Sequence, residues 1–321
     1  MNSIELVKST ILGTNTGGRT PLYAWTWDNV TDKLKAGFGS VQAFEDAYEF
    51  DLAMLFGGPY PFFTAEILAA KRSGEELTPD ILLQLPYTDP DNEAAYEMLR
   101  RQLKHYREER QRFCYVQTPG IFEALNDPLG IENHLCYMLL YPEEMEQLYR
   151  RQVEWNKKFI RNVTDLGVDM IHISDDWGAQ NNLLFSPDTW RSMIYPYHRE
   201  MVETVHAKGA LASLHSDGNI MSVLDGIADI GYDLIHPFQE SAGMSYQTYL
   251  ERYAEQFGIM GGLCIQTTLG FGDYARLERE IRRVFSLLKH KRWVCCTTHL
   301  VQPHCSLEEL VFALDLVKTL R

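Results

Sequence analysis

The sequence predicts an α/β fold, a (β/α)8 TIM barrel built on a parallel sheet. Short apolar runs recur along the chain, and longer helical patterns separate them. Parallel strands that helices cover are buried on both faces, so they appear as continuous apolar runs rather than alternating ones. Repeated strand–helix alternation over 321 residues suits one closed barrel, with a doubly wound open sheet as the alternative.

The predicted strands are eight apolar runs of suitable length. They cover residues 21–27, 50–58, 112–120, 168–178, 210–218, 232–239, 257–264 and 292–299. Each run is followed by a segment long enough to hold a helix. This order favours the barrel over other α/β arrangements.

Helices are predicted between these runs. Residues 142–167 have proline in the first turn and glycine at the end, and residues 186–209 start with a serine N-cap and proline. Residues 306–321 start with a Ser-x-x-Glu capping box, Ser306 to Glu309. These end signals place three of the longer helices.

No linker or low-complexity segment divides the chain, so we expect a single domain over residues 1–321. Residues 59–111 are longer than one crossover requires, and we expect a helical insertion or lid there. Residues 1–13 are predicted to form a short helix rather than a signal peptide, because no basic segment precedes a long apolar core.

Composition limits the classes of partner. The formal net charge of −14 argues against binding of nucleic acid or of an anionic membrane. No uninterrupted stretch of about 18 apolar residues occurs, so no membrane span is expected. The six cysteines have no CxxC spacing, which favours reduced thiols and a cytoplasmic location. The expected partner is a small molecule.

Polar and aromatic side chains concentrate at the ends of the runs, which is where barrel enzymes build their sites. The opposite ends of the runs show no such enrichment. These residues are Trp25, Trp27, Asp28, Gln117, Thr118, Asp175, Asp176, Trp177, His215, Asp217, His236, Gln239, Glu240, Cys264, Gln266 and His299. The distribution indicates an enzyme or a small-molecule-binding protein.

His215 and Asp217 are candidate metal ligands at the end of the fifth run. Two residues apart on a strand, they point to one face and could share a divalent ion. The alternative is that Asp217 caps the next helix or makes a turn with Gly218-Asn219. His299, at the end of the eighth run, would complete a set of two histidines and one carboxylate with an open position, although a lone histidine is commonly a core residue.

The adjacent carboxylates Asp175 and Asp176 face opposite ways on a strand, so only one should enter the pocket. We assign Asp176 to the pocket as a hydrogen-bonding or acid–base group, with His299 as the second catalytic candidate, and Asp175 to a cap of the following loop. The predicted substrate-binding residues are Trp25, Trp27, Trp177, Gln239, Glu240 and Gln266. For the tryptophans, ordinary core packing is the alternative, and for Cys264 the choice lies between a reactive thiol and inert packing.

Longer segments resemble the uroporphyrinogen decarboxylase superfamily. The resemblance is carried by ISDDWGAQNN…LHSDGNI (173–220), LIHPFQESAGM (234–244), IMGGLCIQTTLG (259–270) and THLVQPHCSLEEL (298–310), with RTPLYAWTW near the N-terminus. It implies a TIM barrel, in agreement with the strand count. Members catalyse either cofactor-free decarboxylation of uroporphyrinogen or zinc-dependent methyl transfer between a corrinoid and a thiol such as coenzyme M, with related demethylations.

The decarboxylase pattern is largely missing. True decarboxylases resemble one another in an arginine-rich segment after the first strand's proline and in an aspartate at the end of strand 2. This chain has PLYAWTWDNV (21–30), without arginine, and Gly57-Gly58. His299 is the one decarboxylase-like feature retained, and a polycarboxylate substrate would lack positive partners.

The methyltransferase pattern fits better. Those enzymes bind zinc through His-x-Cys after strand 5 and a cysteine after strand 8. Here His215 matches the histidine, whereas Asp217 and His299 stand in place of the cysteines. This harder set could still bind zinc or another divalent metal, but it leaves the metal and the thiol acceptor open. No Asp-x-His-x-x-Gly segment is present, so a corrinoid would come on a partner protein; a homodimer is common in the superfamily.

Three functions therefore stay open. The first is a metal-dependent methyltransferase acting between a corrinoid protein and a small molecule, with Asp176, Gln239 and Glu240 positioning the substrate or completing the metal shell. The second is a porphyrinogen decarboxylase-like lyase that works without metal. The third is a non-catalytic barrel that binds a small molecule.

Overall fold

The computed structural model describes residues 1–15, 17–74 and 76–321. Seven parallel strands form one sheet in the order in which they occur along the chain. They are β1 (Leu52–Leu55), β2 (Phe113–Pro119), β3 (Met170–Ser174), β4 (Leu211–His215), β5 (Leu234–His236), β6 (Gly258–Leu263) and β7 (Trp293–Thr297). Each lies inside one of the last seven predicted runs. Nearly all strand residues are buried, as the apolar runs indicate.

The first predicted run, residues 21–27, connects the two edges of this sheet without forming a regular strand. Leu22 makes an isolated parallel bridge to Cys295 of β7. On one side the Tyr23 N–H donates to the Cys295 carbonyl, and on the other the Asp51 N–H donates to the Leu22 carbonyl, both at 2.9 Å. The sheet is therefore curled into a barrel-like shape.

The prediction of eight strands is thus corrected to seven strands and a bridging segment among the described residues. The backbone ladder of this segment is short for a physical reason. Pro21 has no N–H to donate, and the Trp25 N–H donates to the Thr297 side-chain hydroxyl instead of to a backbone carbonyl (3.0 Å).

Helices surround the sheet. They are α1 (Ser3–Ile11), α2 (Thr31–Phe38), α3 (Val41–Ala47), α4 (Ala65–Ser73), α5 (Pro79–Gln84), α6 (Glu97–Leu103), α7 (Phe122–Leu129), α8 (Ile131–Leu140), α9 (Pro142–Asp165), α10 (Pro187–Met193), α11 (Tyr195–Ala207), α12 (Leu224–Ile230), α13 (Tyr246–Arg252), α14 (Tyr274–Leu288) and α15 (Leu307–Leu320). The predicted helices at residues 142–167 and 306–321 are confirmed as α9 and α15.

The segment predicted as one helix over residues 186–209 is two helices, α10 and α11. Pro196 stands in the first turn of α11. Because proline lacks an N–H, it cannot continue the hydrogen-bond ladder of a helix that precedes it, and the helix is interrupted at Ile194. Ser186 caps α10 as predicted, accepting from the Thr189 N–H at 3.0 Å.

Residues 59–111, apart from position 75, are largely helical. They contain α4, α5 and α6, a 3-10 turn at Glu93–Tyr96 and a π-helical turn at Lys104–Glu109. The role of this segment as a lid stays a prediction.

All six cysteines are free thiols. Among the described residues, every helix is too short or too polar to cross a lipid bilayer.

Candidate active site

The carboxyl ends of β4 and β7 bring the three predicted metal ligands together. His215 is the last residue of β4 and pairs in register with Ser174 of β3 and His236 of β5. Asp217 and His299 each lie two residues beyond a strand end. One ligand atom from each of His215, Asp217 and His299 lies within 4.8 Å of the others. We call this group the His215–Asp217–His299 cluster.

The cluster opens toward solvent on one side. The His215 side chain is 6% exposed, whereas that of His299 is 37% exposed. The Asp217 carboxylate lies between them, with Oδ1 at 3.9 Å from His215 Nε2 and Oδ2 at 3.8 Å from His299 Nε2. These separations are too long for direct hydrogen bonds and leave room for an ion between the three groups.

Asp217 carries a buried oxygen that needs a partner. Within the described part of the chain, no hydrogen-bond donor reaches its Oδ1. Burial raises the pKa of Asp217 to about 6, and nearby Asp176 also raises it while His215 lowers it. The turn that follows is capped instead by Asn219, whose Oδ1 accepts from the Met221 N–H. A divalent cation would satisfy the orphaned oxygen and favour the carboxylate form.

A hydrogen-bond chain sets the tautomer of His215. The backbone carbonyl of Thr297 can only accept, so His236 Nε2 donates to it at 3.1 Å. Burial lowers the pKa values of His236 and His215, so both rings are neutral and His236 Nδ1 must accept. His215 Nδ1 then donates to His236 Nδ1 at 2.8 Å. The lone pair of His215 Nε2 is left facing Asp176 and Asp217, as a metal ligand requires.

A second group of histidines, His172, His215 and His236, also has ligand atoms within 4.8 Å of one another. Both nitrogens of His236 already have hydrogen-bond partners. His172 Nδ1 contacts the Ser213 hydroxyl at 2.6 Å. His236 therefore orients His215, and this buried group fits a metal less well than the His215–Asp217–His299 cluster does.

Asp176 faces this cluster. Its Oδ1 accepts from the Asp217 N–H at 2.8 Å and lies 3.8 Å from His215 Nε2. The Asp176 side chain is 36% exposed, so it is open to a bound molecule as well. The carboxylate thus holds the turn that carries Asp217 and adds negative charge next to His215.

Asp175 is fully buried and belongs to the scaffold. It caps α7 and not the loop after β3, which corrects the sequence-based assignment. Its carboxylate accepts from the backbone N–H groups of residues 121–123. His198 Nε2 contacts the same carboxylate at 2.7 Å. Burial alone would raise the pKa of Asp175, but the hydrogen bonds from His198 and the backbone outweigh it and lower the pKa.

Two of the three predicted tryptophans lie next to the cluster. The Trp25 ring is 5.4 Å from that of His215 and 5.1 Å from that of Trp27, measured between centroids. Trp27 in turn contacts Phe56. Trp177 lies elsewhere: it is fully buried and packs against Trp190 and His198, so the structure separates it from the aromatic wall.

A cavity of about 580 Å³, here the His299 cavity, contains two of the predicted substrate-binding residues. Gln239 and Gln266 line it together with Asp217 and His299. Glu240 does not line this cavity, because its carboxylate pairs with Arg283.

Cys264 lies beside this cavity. Ser241 and Thr267 contact its sulfur at 3.4 and 3.2 Å, and Gln239 contacts it at 3.8 Å. Burial by itself would raise the pKa of the thiol, but these hydrogen bonds and the backbone of Gln266 lower it. Cys264 is therefore a polarised thiol, more than inert packing.

Sequence reasoning missed Glu123. This residue lies in the first turn of α7 and lines a second cavity of about 420 Å³, here the Glu123 cavity. Ser174, which pairs with His215 in register, donates its hydroxyl proton to Glu123 Oε2 at 2.7 Å. A signal was present, since Glu123 follows the third predicted run by three residues, at the carboxyl end of a strand.

Residues 127–320 match the family model described as uroporphyrinogen decarboxylase (URO-D). The chain belongs to the uroporphyrinogen decarboxylase family. The resemblance seen in the sequence is thereby confirmed at the level of the family.

A solved structure shares the fold of this chain. A methyltransferase from Methanosarcina mazei superimposes with a TM-score of 0.72 at 16% identity, over 99% of each chain. A B12-independent methionine synthase from Shewanella sp. W3-18-1 gives a TM-score of 0.48 at 14% identity, over 68% of this chain and 64% of the other. No curated protein matches the sequence. At such identities the likeness concerns the fold alone.

The site of this chain is poor in positive charge. Among the described residues, neither arginine nor lysine lines the Glu123 cavity or the His299 cavity. The donor set of two imidazoles and a carboxylate suits zinc or a similar divalent metal and leaves a position open. The site is thus better suited to a metal and an uncharged molecule than to a polycarboxylate.

Proposed function

We propose that this protein is a metal-dependent methyltransferase that moves a methyl group between a corrinoid protein and a small molecule. The observation that carries the proposal is the His215–Asp217–His299 cluster, with its orphaned Asp217 oxygen and its preset His215 tautomer. The fold shared with a methyltransferase from Methanosarcina mazei over 99% of each chain supports the reaction class.

The residues have separate roles in this proposal. His215, Asp217 and His299 hold the divalent metal, zinc by preference, which supplies Lewis acidity when bound. Trp25 and Trp27 form an apolar wall beside it. Asp176 holds the Asp217 turn and offers a hydrogen-bonding carboxylate to the substrate.

The proposal also covers the barrel fold, the corrinoid partner and the cellular location. The 21–25 segment takes the eighth position of a TIM barrel, and the corrinoid arrives on a partner protein. The six free cysteines support a cytoplasmic location.

A lyase of the uroporphyrinogen decarboxylase type is the second candidate. Membership of the family and the presence of His299 favour it. The lack of arginine and lysine around the two cavities weighs against it, because porphyrinogen carboxylates would be desolvated there without partners.

Metal content tests the proposal. We expect near-stoichiometric zinc in protein purified without chelator, and loss of zinc in His215→Ala. His105→Ala is the matched control, because His105 lies on the surface beside Glu109. When zinc is supplied to both proteins, the wild type should exchange methyl groups with methylcobalamin, and His215→Ala should not.

Other results would contradict this function. Absence of bound metal after zinc is supplied would exclude the cluster as a metal centre. Chelator-resistant decarboxylation of uroporphyrinogen would favour the lyase. A ligand that raises stability without turnover would favour a non-catalytic barrel.

A further inference from the structure

We propose that the His299 cavity is a recognition site for neutral carboxamide groups, and that it binds the amide side chains of the corrin ring that the partner protein presents. Four glutamines line this cavity: Gln180, Gln239, Gln266 and Gln302. Their side chains offer both hydrogen-bond donors and acceptors without carrying charge. The inference rests on the proposed function and adds to it the residues that recognise the corrinoid.

Ser241 orients two of these glutamines. Its backbone carbonyl can only accept, so the contact at 2.5 Å identifies Gln180 Nε2 as the donor. Its hydroxyl donates to Gln266 Oε1 at 3.1 Å. Among the described residues, no hydrogen bond engages Gln180 Oε1 or Gln266 Nε2. Each side chain is therefore held at one end, and the pair presents an acceptor and a donor to a bound molecule.

The other two glutamines are held in the same way. Gln302 Nε2 donates to the Leu300 carbonyl at 2.9 Å, and Gln239 Nε2 contacts the Cys264 sulfur at 3.8 Å. Gln239 is only 4% exposed, and its Oε1 has no hydrogen-bond partner among the described residues. A buried amide oxygen of this kind is satisfied only when a bound molecule or water supplies a donor. The cavity thus favours a ligand that can donate hydrogen bonds.

The lining selects against charged ligands. Among its described residues there is neither lysine nor arginine, so a carboxylate or phosphate would lose its hydration without a counter-charge. Asp217 is the one acidic side chain among them, and in the proposed function the metal offsets its charge, so an ammonium group would find no free carboxylate. Neutral groups that both donate and accept are left, and these are hydroxyls and primary carboxamides.

The position of the cavity identifies the source of the carboxamides. Two of the three proposed metal ligands, Asp217 and His299, line it, whereas none of the three is among the described residues that line the Glu123 cavity. In methyl transfer the corrinoid has to face the metal centre, and the periphery of a corrin carries neutral carboxamides. Phe271, which is 53% exposed, gives the cavity an aromatic edge against which a planar macrocycle can pack.

Binding of two corrins tests this assignment without measuring turnover. Methylcobinamide has carboxamide side chains. The heptamethyl ester of methylcobyrinic acid has the same ring with esters, which accept hydrogen bonds but cannot donate them. We would measure both dissociation constants by isothermal titration calorimetry of the zinc-loaded protein, in the dark, in one water–methanol mixture and without a methyl acceptor. The wild type should bind methylcobinamide about 10–30-fold more tightly than the ester, because several hydrogen bonds are lost.

Two glutamine variants separate the donor from the acceptor, because methionine keeps the length of the side chain and lacks the amide. Gln180→Met removes an acceptor that only a carboxamide can use. It should weaken binding of methylcobinamide by about 3–10-fold and leave binding of the ester unchanged. Gln266→Met removes a donor that both carbonyl groups can use, so it should weaken binding of both corrins and keep their ratio.

Gln147→Met is the matched control. Gln147 is an exposed glutamine on α9 that donates to the Glu143 carbonyl, and it lines neither cavity. Its amide-to-ester ratio should equal that of the wild type. Zinc content should be the same in all variants, because none of these glutamines is a proposed metal ligand.

The outcomes separate this inference from the proposed function. Equal affinities of the wild type for the two corrins, or an unchanged ratio in Gln180→Met, would overturn the carboxamide site while leaving a methyltransferase. Failure of both corrins to bind would also overturn it, even in a protein that holds zinc and exchanges methyl groups. A protein without zinc and without methyl exchange that still prefers methylcobinamide would overturn the proposed function and retain the carboxamide site.

Discussion

His236 determines which nitrogen of His215 faces the carboxylates. Its own Nε2 is committed to the Thr297 carbonyl, so its Nδ1 accepts from His215. Partners of this kind keep a ligating imidazole in the right tautomer and orientation, and their loss weakens metal binding. In this protein a buried histidine with no direct access to the substrate would therefore control the metal ligand.

Removing the acceptor should weaken metal binding. We expect His236→Ala to lower zinc affinity by about 10–100-fold. His236→Asn should restore most of it, because the asparagine Oδ1 can take the place of the histidine Nδ1 as acceptor. His172→Asn is the control, since His172 contacts His215 only through its ring. Competition with a chromophoric chelator measures the affinities, and equal losses in the two His236 variants would rule out the tautomer argument.

At the scale of elements, α15 is tied to the loop after β6 by a single glutamate. Ser306 caps α15 as predicted, accepting from the Glu309 N–H at 3.1 Å. A capping box also requires the Glu309 side chain to accept from the Ser306 N–H, and this second hydrogen bond is not formed. The Glu309 carboxylate is buried and accepts from the backbone N–H groups of residues 270–272 at 2.9–3.1 Å. This loop carries Phe271, which lines the His299 cavity.

Loss of the Glu309 side chain should therefore destabilise the protein more than loss of the Ser306 cap. We expect Glu309→Ala to reduce the free energy of unfolding by about 2–3 kcal/mol, because three backbone donors lose a charged acceptor. Ser306→Ala should cost about 1 kcal/mol, as loss of an N-cap does. Urea denaturation of the two variants gives the comparison. A smaller cost for Glu309→Ala than for Ser306→Ala would contradict this role.

For the whole molecule, the buried acids of the site make stability depend on pH. The pKa of Glu123 is raised from 4.5 to about 8, and that of Asp217 from 3.8 to about 6. The folded protein thus holds protons that the unfolded chain has released. The stability of the metal-free protein is fully retained below the lower, unfolded values and falls as pH rises through the folded values.

Glu123→Gln isolates one of these contributions. Below about pH 4 its effect should be independent of pH, because both states of the wild type then carry a protonated Glu123. Between pH 4.5 and 8 the variant should gain stability relative to wild type, with a plateau above pH 8. Urea unfolding of metal-free protein across this range is the measurement. A stability of the variant relative to wild type that stays constant or falls between pH 4.5 and 8 would contradict a raised pKa of Glu123.

Anionic molecules are disfavoured by the net charge of −14 and also by the uncharged or acidic cavity linings. Neither the surface as a whole nor the site attracts an anionic substrate. A partner protein or substrate therefore has to be recognised through apolar contact, hydrogen bonds or a bound metal.

Local pattern was sufficient for much of this protein. Apolar runs identified all seven strands, because a buried parallel strand needs apolar residues on both faces. The spacing of His215 and Asp217, and the place of His299 at a strand end, predicted a group of side chains that the fold brings together. The prediction of a regular strand over residues 21–27 was wrong. Backbone pairing there is limited because Pro21 has no N–H and the Trp25 N–H donates to the Thr297 hydroxyl.

Only the tertiary structure decided which polar residues serve the site. Asp175 and Trp177 stand beside Asp176 in the sequence, yet one caps α7 and the other packs against Trp190. The raised pKa of Glu123 could not be predicted from the sequence either, because the carboxylates that contribute to it lie 52 or more residues away in the chain. Burial and electrostatic coupling act through space, and they arise only when distant strand ends meet at one edge of the sheet.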